Sequence, residues 1–272
     1  MTRDIEILEQ KAKELRRQII TMIYKAQSGH PGGSLSASDL MTVLYFDEMN
    51  IDPQEPGKMD RDHFILSKGH CCPVLYTCLA MRGFFPLEAL ASLRSFGSIL
   101  QGHPDMRKVP GVDMTTGSLG QGLSTGVGMA VGLKYDKNPA RVFVLLGDGE
   151  TDEGQVWEAA AAASKYKLNH LIAIVDANGL QNDGPCEQVM PKHSHEEKWK
   201  AFGWHVLNVD GHSISAILQS FEAIHNSDIN QPICIIAHTV KGKYVSFMEN
   251  VPEWHGKAPN NEEYQIAMEE LK

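Results

Sequence analysis

A chain of 272 residues with a net charge of −9 is long enough to bury one large α/β core and too acidic for a general nucleic-acid binder, although a locally positive pocket for an anion stays open. Its five cysteines are odd in number, with Cys71 and Cys72 adjacent, and form neither a disulfide framework nor a C-x-x-C pair; a reducing, cytoplasmic setting is therefore expected. No apolar run approaches membrane-spanning length, and the opening Met1-Thr2-Arg3-Asp4-Ile5-Glu6 has no apolar signal core, so no membrane association is expected.

Apolar residues at Ile5, Leu8, Ala12, Leu15, Ile19 and Met22 recur at three- and four-residue spacing and predict an amphipathic helix ending near Gln27. Ser28-Gly29-His30-Pro31-Gly32-Gly33-Ser34 then reads as a rigid turn, followed by a helix from Ser38 to Met49 and a polar loop from Asp52 to Asp62. Phe64-Ile65-Leu66 is a short strand that empties into Ser67-Lys68-Gly69-His70. Helices are predicted at Cys72 to Met81 and Leu87 to Phe96, with Gly102-His103-Pro104-Asp105 in the loop beyond. The run Thr115 to Gly122 opens a helix carrying Gly126, Gly128, Ala130 and Gly132. Glycine inside a helix costs ~1 kcal/mol relative to alanine, so several together require the close approach of another backbone or a ligand. A contact between subunits and packing against the sheet both satisfy that requirement.

The stretch from Arg141 to Gly184 organises the rest. Val142 to Leu146 is apolar on both faces, as in a strand covered on both sides, and breaks at Gly147-Asp148-Gly149-Glu150. An alanine-rich helix from Glu153 to Lys165 supplies a crossover to a second strand, Leu171 to Val175, which ends in Asp176-Ala177-Asn178-Gly179-Leu180. Parallel strands place Asp148 and Asn178 at one carboxyl edge, where open α/β sheets bind ligands. The two glycines leave room for an anion against the backbone. Asp148, the Asn178 amide oxygen and a nearby carbonyl, that of Leu180, form a hard oxygen set suited to magnesium or calcium. A tight turn with a capping aspartate is the plain alternative. Downstream, Asp183 to Trp199 reads as irregular with a short helix near its end. Strands at Trp204 to Val209 and Ile233 to His238 flank a helix from Ile214 to His225, and the tail carries Trp254-His255-Gly256 in a loop before a last short helix. The sum is one α/β domain over residues 1–272, with a parallel sheet of about five strands and helices on both faces.

Of twelve histidines, His30, His70, His103 and His255 stand out because each abuts glycine in a loop or connecting turn, where a ring can donate to phosphate or hydroxyl oxygens. His212 shares that neighbour but precedes a helix start and is read as structural.

The Gly-Asp-Gly and Asn-Gly pair resembles the binding motif of thiamine diphosphate enzymes. Together with Ser28-Gly29-His30-Pro31-Gly32, Ser67-Lys68-Gly69-His70, Gly102-His103-Pro104-Asp105, Thr116-Gly117-Ser118-Leu119-Gly120-Gln121-Gly122, Glu153-Gly154 and His255-Gly256, it is similar to transketolase, in family order and over nearly the whole chain. The resemblance implies a thiamine diphosphate fold and its residue roles. Asp148, Asn178 and the Leu180 carbonyl would hold the metal, with Asn178 also at the cofactor, and His70, Gly149 and His255 would bind the diphosphate. Gly117 and Leu119 would line the cofactor ring, and Glu153 would meet a neighbouring pyrimidine-binding domain. His30, His103 and His255 would face the sugar, His103 at the hydroxyl of the first carbon and the other two assisting proton removal at the third. Ser118 departs from the proline of many relatives, and Glu150 follows Gly149 where others vary.

The pyrimidine domain, with the glutamate that activates the cofactor in that family, has no counterpart in this chain. The resemblance therefore implies one subunit of a split enzyme, an α2β2 assembly that moves a two-carbon glycolaldehyde unit from a ketose to an aldose. The α subunit of a 2-oxo acid dehydrogenase is the rival reading. It shares the diphosphate motif but would lack the Ser-Lys-Gly-His and Gly-His-Pro turns. A catalytically silent binding half is the third.

Overall fold

A computed structural model describes residues 4–191 and 194–272. Met1 to Arg3 of the opening segment, and Lys192 and His193 of the stretch read as irregular, lie outside the described residues.

Helix α1 (Ile5–Ala26) starts on the Asp4 side chain, which accepts from the Ile7 amide, and buries the apolar stripe that its spacing predicts. The next segment is a correction: Ser28 to Ser34, read as a rigid turn, instead enters helix α2 (Pro31–Ser36), with His30 at its cap and Pro31 in its first turn, where proline loses no hydrogen bond. The single helix expected to follow is instead α3 (Ser38–Val43), which widens into a π-turn at Leu44–Glu48. Strand β1 (His63–Leu66) leads through a 3₁₀ turn at Gly69–Cys71 into α4 (Cys72–Arg82), closed by Gly83. The helix expected to Phe96 is only a 3₁₀ turn, Leu87–Ser92, because Leu93 leaves the spiral at ψ 127° and Arg94 follows at φ 59°. Then come α5 (Gln121–Tyr135), β2 (Val142–Gly147), a 3₁₀ turn at Gly149–Asp152, α6 (Gly154–Lys165) and β3 (Leu171–Ala177). The stretch from Asp183 to Trp199 holds the short helix expected near its end, α8 (His195–Ala201), and before it a second short helix that was not expected, α7 (Cys186–Val189). The chain ends with β4 (His205–Asp210), α9 (Ile214–His225), β5 (Ile233–His238), a 3₁₀ turn at Pro252–His255 and α10 (Asn261–Glu270).

The five strands are parallel in the order β1-β2-β3-β5-β4. Side chains alternate across them: Phe143, Leu145, Ile172 and Ile174 pack with α1, α3, α4 and α9, whereas Val142, Val144, Leu171 and Ala173 pack with α5, α6 and α8. Helices on both faces explain why β2 and β3 are apolar at nearly every position. A third cluster, with Ile20, Leu35, Val245, Met248, Trp254 and Ala267, fastens the C-terminal tail back onto α1 and α2.

The glycines of α5 divide into two sets. A methyl on Gly122 would come within 2.3 Å of the Ser67 hydroxyl and 2.8 Å of the Ser67 Cα, and one on Gly126 within 2.6 Å of a Val144 methyl; one on Gly128 or Gly132 would meet nothing within 4 Å. The inner pair thus lets the helix sit directly on β1 and β2. Gly122→Ala is expected to lower stability by about 1–3 kcal/mol, since Ser67 backbone cannot move aside. Gly128→Ala should raise it by up to ~1 kcal/mol through helix propensity alone. Urea denaturation of the two variants tests the division, and equal midpoints would refute it.

Candidate active site

The register sets Gly147 beside Asp176, so the tips after β2 and β3 emerge side by side. Asp148 is buried; its Oδ1 accepts from the Gly149 amide at 2.8 Å and its Oδ2 from the Gly179 amide at 2.6 Å, which stitches the two tips together. Asn178 Oδ1 accepts from the Leu180 amide at 3.1 Å, and its Nδ2 donates to Asp176 Oδ2 at 3.1 Å, which turns the amide oxygen away from the core. The Leu180 carbonyl accepts from the Lys241 ammonium at 2.9 Å. Asp148, Asn178 and Leu180, expected from the sequence as one oxygen set, thus lie along one edge, and a cation already rests on the third of them. This all-oxygen donor set fits magnesium or calcium.

A cavity of about 310 Å³ opens over this edge, with Asp148, Gly149, Asn178, Leu180, Leu119, Glu153, His70 and His255 in its wall. Leu119 is exposed at 39 % and Glu153 stands at the rim, so both are available to a second body. Three rings converge beside it: His30 lies 5.1 Å from His70 and 5.4 Å from His255, centroid to centroid, and His70 lies 5.0 Å from His255 in a stack. His255 reaches there because buried Trp254, edge-on to Phe247 at 5.1 Å, anchors its turn in the tail cluster. His103 is exposed and rests on Gly117, where a Cβ would come within 3.2 Å of the ring. The turn that carries it hangs from the Tyr76 hydroxyl, which donates to the Gln101 carbonyl at 2.9 Å and the His103 carbonyl at 3.0 Å. Every site residue expected from the sequence therefore falls on or beside the same carboxyl edge. His212, read as structural, indeed sits apart and bonds Asp39 and the Val240 amide.

Sequence reasoning missed the cations. Lys68 is buried and donates to Asp176 Oδ2 and, at 3.0 Å, to the Gly33 carbonyl, while Asp176 also accepts from Ser36 and Thr239. Lys241 is buried too, 2.9 Å from His255 Nδ1 as well as on Leu180. Glu150 lies beneath the loop, where its carboxylate accepts from the Ser67 hydroxyl and from the amides of Gly120 and Gly147. Its own place in the Ser67-Lys68-Gly69-His70 motif was the one available signal for Lys68.

Burial dominates the electrostatics. It lowers His70 to about 2, aided by the charges of Lys68, His255, His30 and Lys241, and lowers His255 to about 3, aided by Lys241, His30 and Lys68. Burial also lowers Lys241 and raises Glu150. For Asp176 burial works upward, yet the Lys68 ammonium outweighs it and holds the carboxyl below its ordinary value. At neutral pH the rings of His30, His70 and His255 are thus neutral, in a cavity whose wall carries Lys68 and Lys241 together with the carboxyl groups of Asp148, Glu150, Asp152, Glu153 and Asp183.

The family description "Transketolase, thiamine diphosphate binding domain" matches residues 7–271. The chain is 44 % identical over 267 residues to one subunit of the apulose-4-phosphate transketolase of Phocaeicola vulgatus, covering 98 % of this chain and 94 % of that protein. It is 43 % identical to a 6-deoxy-6-sulfo-D-fructose transketolase subunit, SqwG, of a Clostridium species, covering 97 % and 96 %. Among solved structures, transketolase from Campylobacter jejuni superposes with a TM-score of 0.92 at 31 % identity, over 98 % of this chain but 43 % of that one. The chain spans about two fifths of the length of the solved transketolases it matches.

Proposed function

From a chain that belongs to the transketolase family, within its thiamine diphosphate-binding domain, we propose one half of a split transketolase that transfers a two-carbon ketol unit from a ketose to an aldose. The observation that carries this reading is the convergence of His30, His70 and His255 beside the Asp148–Asn178–Leu180 edge. Thiamine diphosphate, when bound, supplies a carbon nucleophile and an electron sink for carbon–carbon cleavage. This chain's residues would hold it: Asp148, Asn178 and the Leu180 carbonyl through magnesium or calcium, and His70, His255, Lys241 and Gly149 at the diphosphate. Gly117 and Leu119 would line its ring. His30, His103 and His255 face the sugar, His103 at the first-carbon hydroxyl.

Residues 1–272 form the diphosphate domain in this proposal, and the pyrimidine domain comes from a separate C-terminal subunit that meets the rim at Glu153 and Leu119, giving an α2β2 enzyme. Two relatives are named for a phosphorylated and a sulfonated ketose, and a sugar with an anionic tail is the class carried over. Among the described residues no helix is long and apolar enough to cross a membrane, and the five free, buried cysteines suit the cytoplasm as the proposed setting.

The test is co-purification of the two chains, followed by assay of ketose-plus-aldose exchange against 2-oxo acid decarboxylation. Exchange by the pair, and by neither chain alone, is expected; decarboxylation in its place would favour the dehydrogenase reading. His103→Ala in the assembled enzyme should lose about 100-fold in kcat/KM for the donor ketose, as for removal of one oriented donor at a reacting oxygen. Unchanged donor turnover would take His103 out of the site.

A further inference from the structure

Arg94 belongs to neither sequence motif nor cavity wall, yet it touches both sugar-facing turns. Its backbone stands at φ 59°, fixed by an amide hydrogen bond to the Leu100 carbonyl at 2.7 Å. From there the side chain folds inward. Nη1 donates to the Ser28 hydroxyl at 3.1 Å and Nη2 lies 3.4 Å from His30 Nδ1. The guanidinium lies against Gly102, where a Cβ would come within 2.9 Å of Cζ and Nη2. Nε is buried and has no hydrogen-bond partner among the described residues.

We propose that Arg94 is a positioning residue that ties the His30 turn to the Gly102-His103 turn and fixes His30 as the tautomer with its proton on Nε2. A guanidinium has only donors and stays charged. Nδ1 facing it must therefore keep its lone pair, and the neutral ring carries its proton on the other nitrogen. The hydrogen bond is long, but the charge acts in the same sense, because an N–H on Nδ1 would point at a cation.

The other groups around His30 are His70, His103, His255 and Lys241, and none supplies a negative charge. Burial first, then Arg94, His103 and Lys241, lower His30 to about 4, so the doubly protonated ring is scarce near neutrality. His30 then offers Nε2–H as a donor, on the side of Gly256, to a ligand oxygen. This assigns it a hydrogen-bonding role at the sugar in place of the proton-accepting role that the family resemblance implies. That consequence rests on the transketolase reading; the tautomer does not.

The experiment is proton–nitrogen correlation NMR of the full chain labelled with nitrogen-15 histidine, followed by kinetics in the assembled pair. In the wild type, His30 is expected as the Nε2–H tautomer with a midpoint near 4. Arg94→Met should raise that midpoint by about one pH unit or more toward the ordinary value near 6.5. Arg94→Lys should keep it low, since the charge stays. The acid limb of kcat/KM in the assembled Arg94→Met enzyme should move upward in step, which a purely structural loss would not produce. An Nδ1–H tautomer in the wild type overturns the proposal, even if Arg94→Met fails to fold. So does an unmoved His30 midpoint in a folded variant. A pair that shows the expected NMR behaviour without ketol transfer would refute the transketolase reading and leave the positioning role intact.

Discussion

Asp148→Asn is expected to cut uptake of thiamine diphosphate with magnesium by more than ~100-fold in the assembled enzyme, above the ~10–100-fold that outer partners of a metal ligand are worth. The reason lies in what the two oxygens do. One accepts from the Gly149 amide and the other from the Gly179 amide, so the carboxylate joins the tips of β2 and β3 while it supplies the only formal charge among the three expected ligands. Asparagine keeps the shape, yet its NH₂ must face one of those amides, donor against donor, and the charge is gone. Calorimetry of the pair titrated with cofactor in the presence of magnesium measures the effect. Circular dichroism separates it from unfolding, and wild-type affinity in the variant would remove Asp148 from the ligand set.

Lys68→Met is expected to destabilise the chain by about 3–5 kcal/mol, because it leaves the Asp176 carboxylate buried without its counter-charge. Both partners are essentially inaccessible, with side-chain exposures of 3 % and 0 %. The donors from Ser36, Thr239 and Asn178 remain but carry no charge.

The pH dependence fixes the sign. Asp176 is held below its unfolded value near ~3.9, so its contribution is present above that pH and is lost as pH falls through the folded value. Lys68 is the reverse: burial opposes its charge, Asp176 outweighs burial and raises it, and its contribution is present below ~10.4 and lost as pH rises through the folded value. Urea denaturation should show a constant gap between variant and wild type across neutral pH. The gap should narrow in acid, where the stranded carboxyl takes up a proton. A gap under about 1 kcal/mol at pH 7 would mean that water reaches Asp176, since exposed pairs are worth that little.

Most of the site was legible because its signals are local. Val142 to Leu146 and Leu171 to Val175 are unbroken apolar runs that end in polar, glycine-bearing tips, a pattern visible within a few residues. The four histidines could be picked out by their adjacent glycines. What misled was also local: Ser28 to Ser34 carries three glycines and a proline, which read as a turn, yet burial of the whole of α2 under α1, α4 and the tail made it a helix. Likewise the apolar spacing of Leu87 to Phe96 suggested a full helix, which the extended Leu93 and the left-handed Arg94 cut short.

By itself the sequence determined the strands, the oxygen groups at the tips of β2 and β3 and the glycine-flanked histidines, since hydrophobic period and turn chemistry act over a few residues. Only the tertiary structure decided that β5 slots between β3 and β4, which returns Thr239, Lys241 and, after the Trp254 anchor, His255 to the edge where Asp148 and Asn178 already stand. Lys68 and Asp176 lie 108 positions apart, and Arg94 and His30 lie 64 apart. A buried charge is tolerated only where a distant partner meets it, and strand order, set by the packing of whole helices on the sheet, chooses that partner.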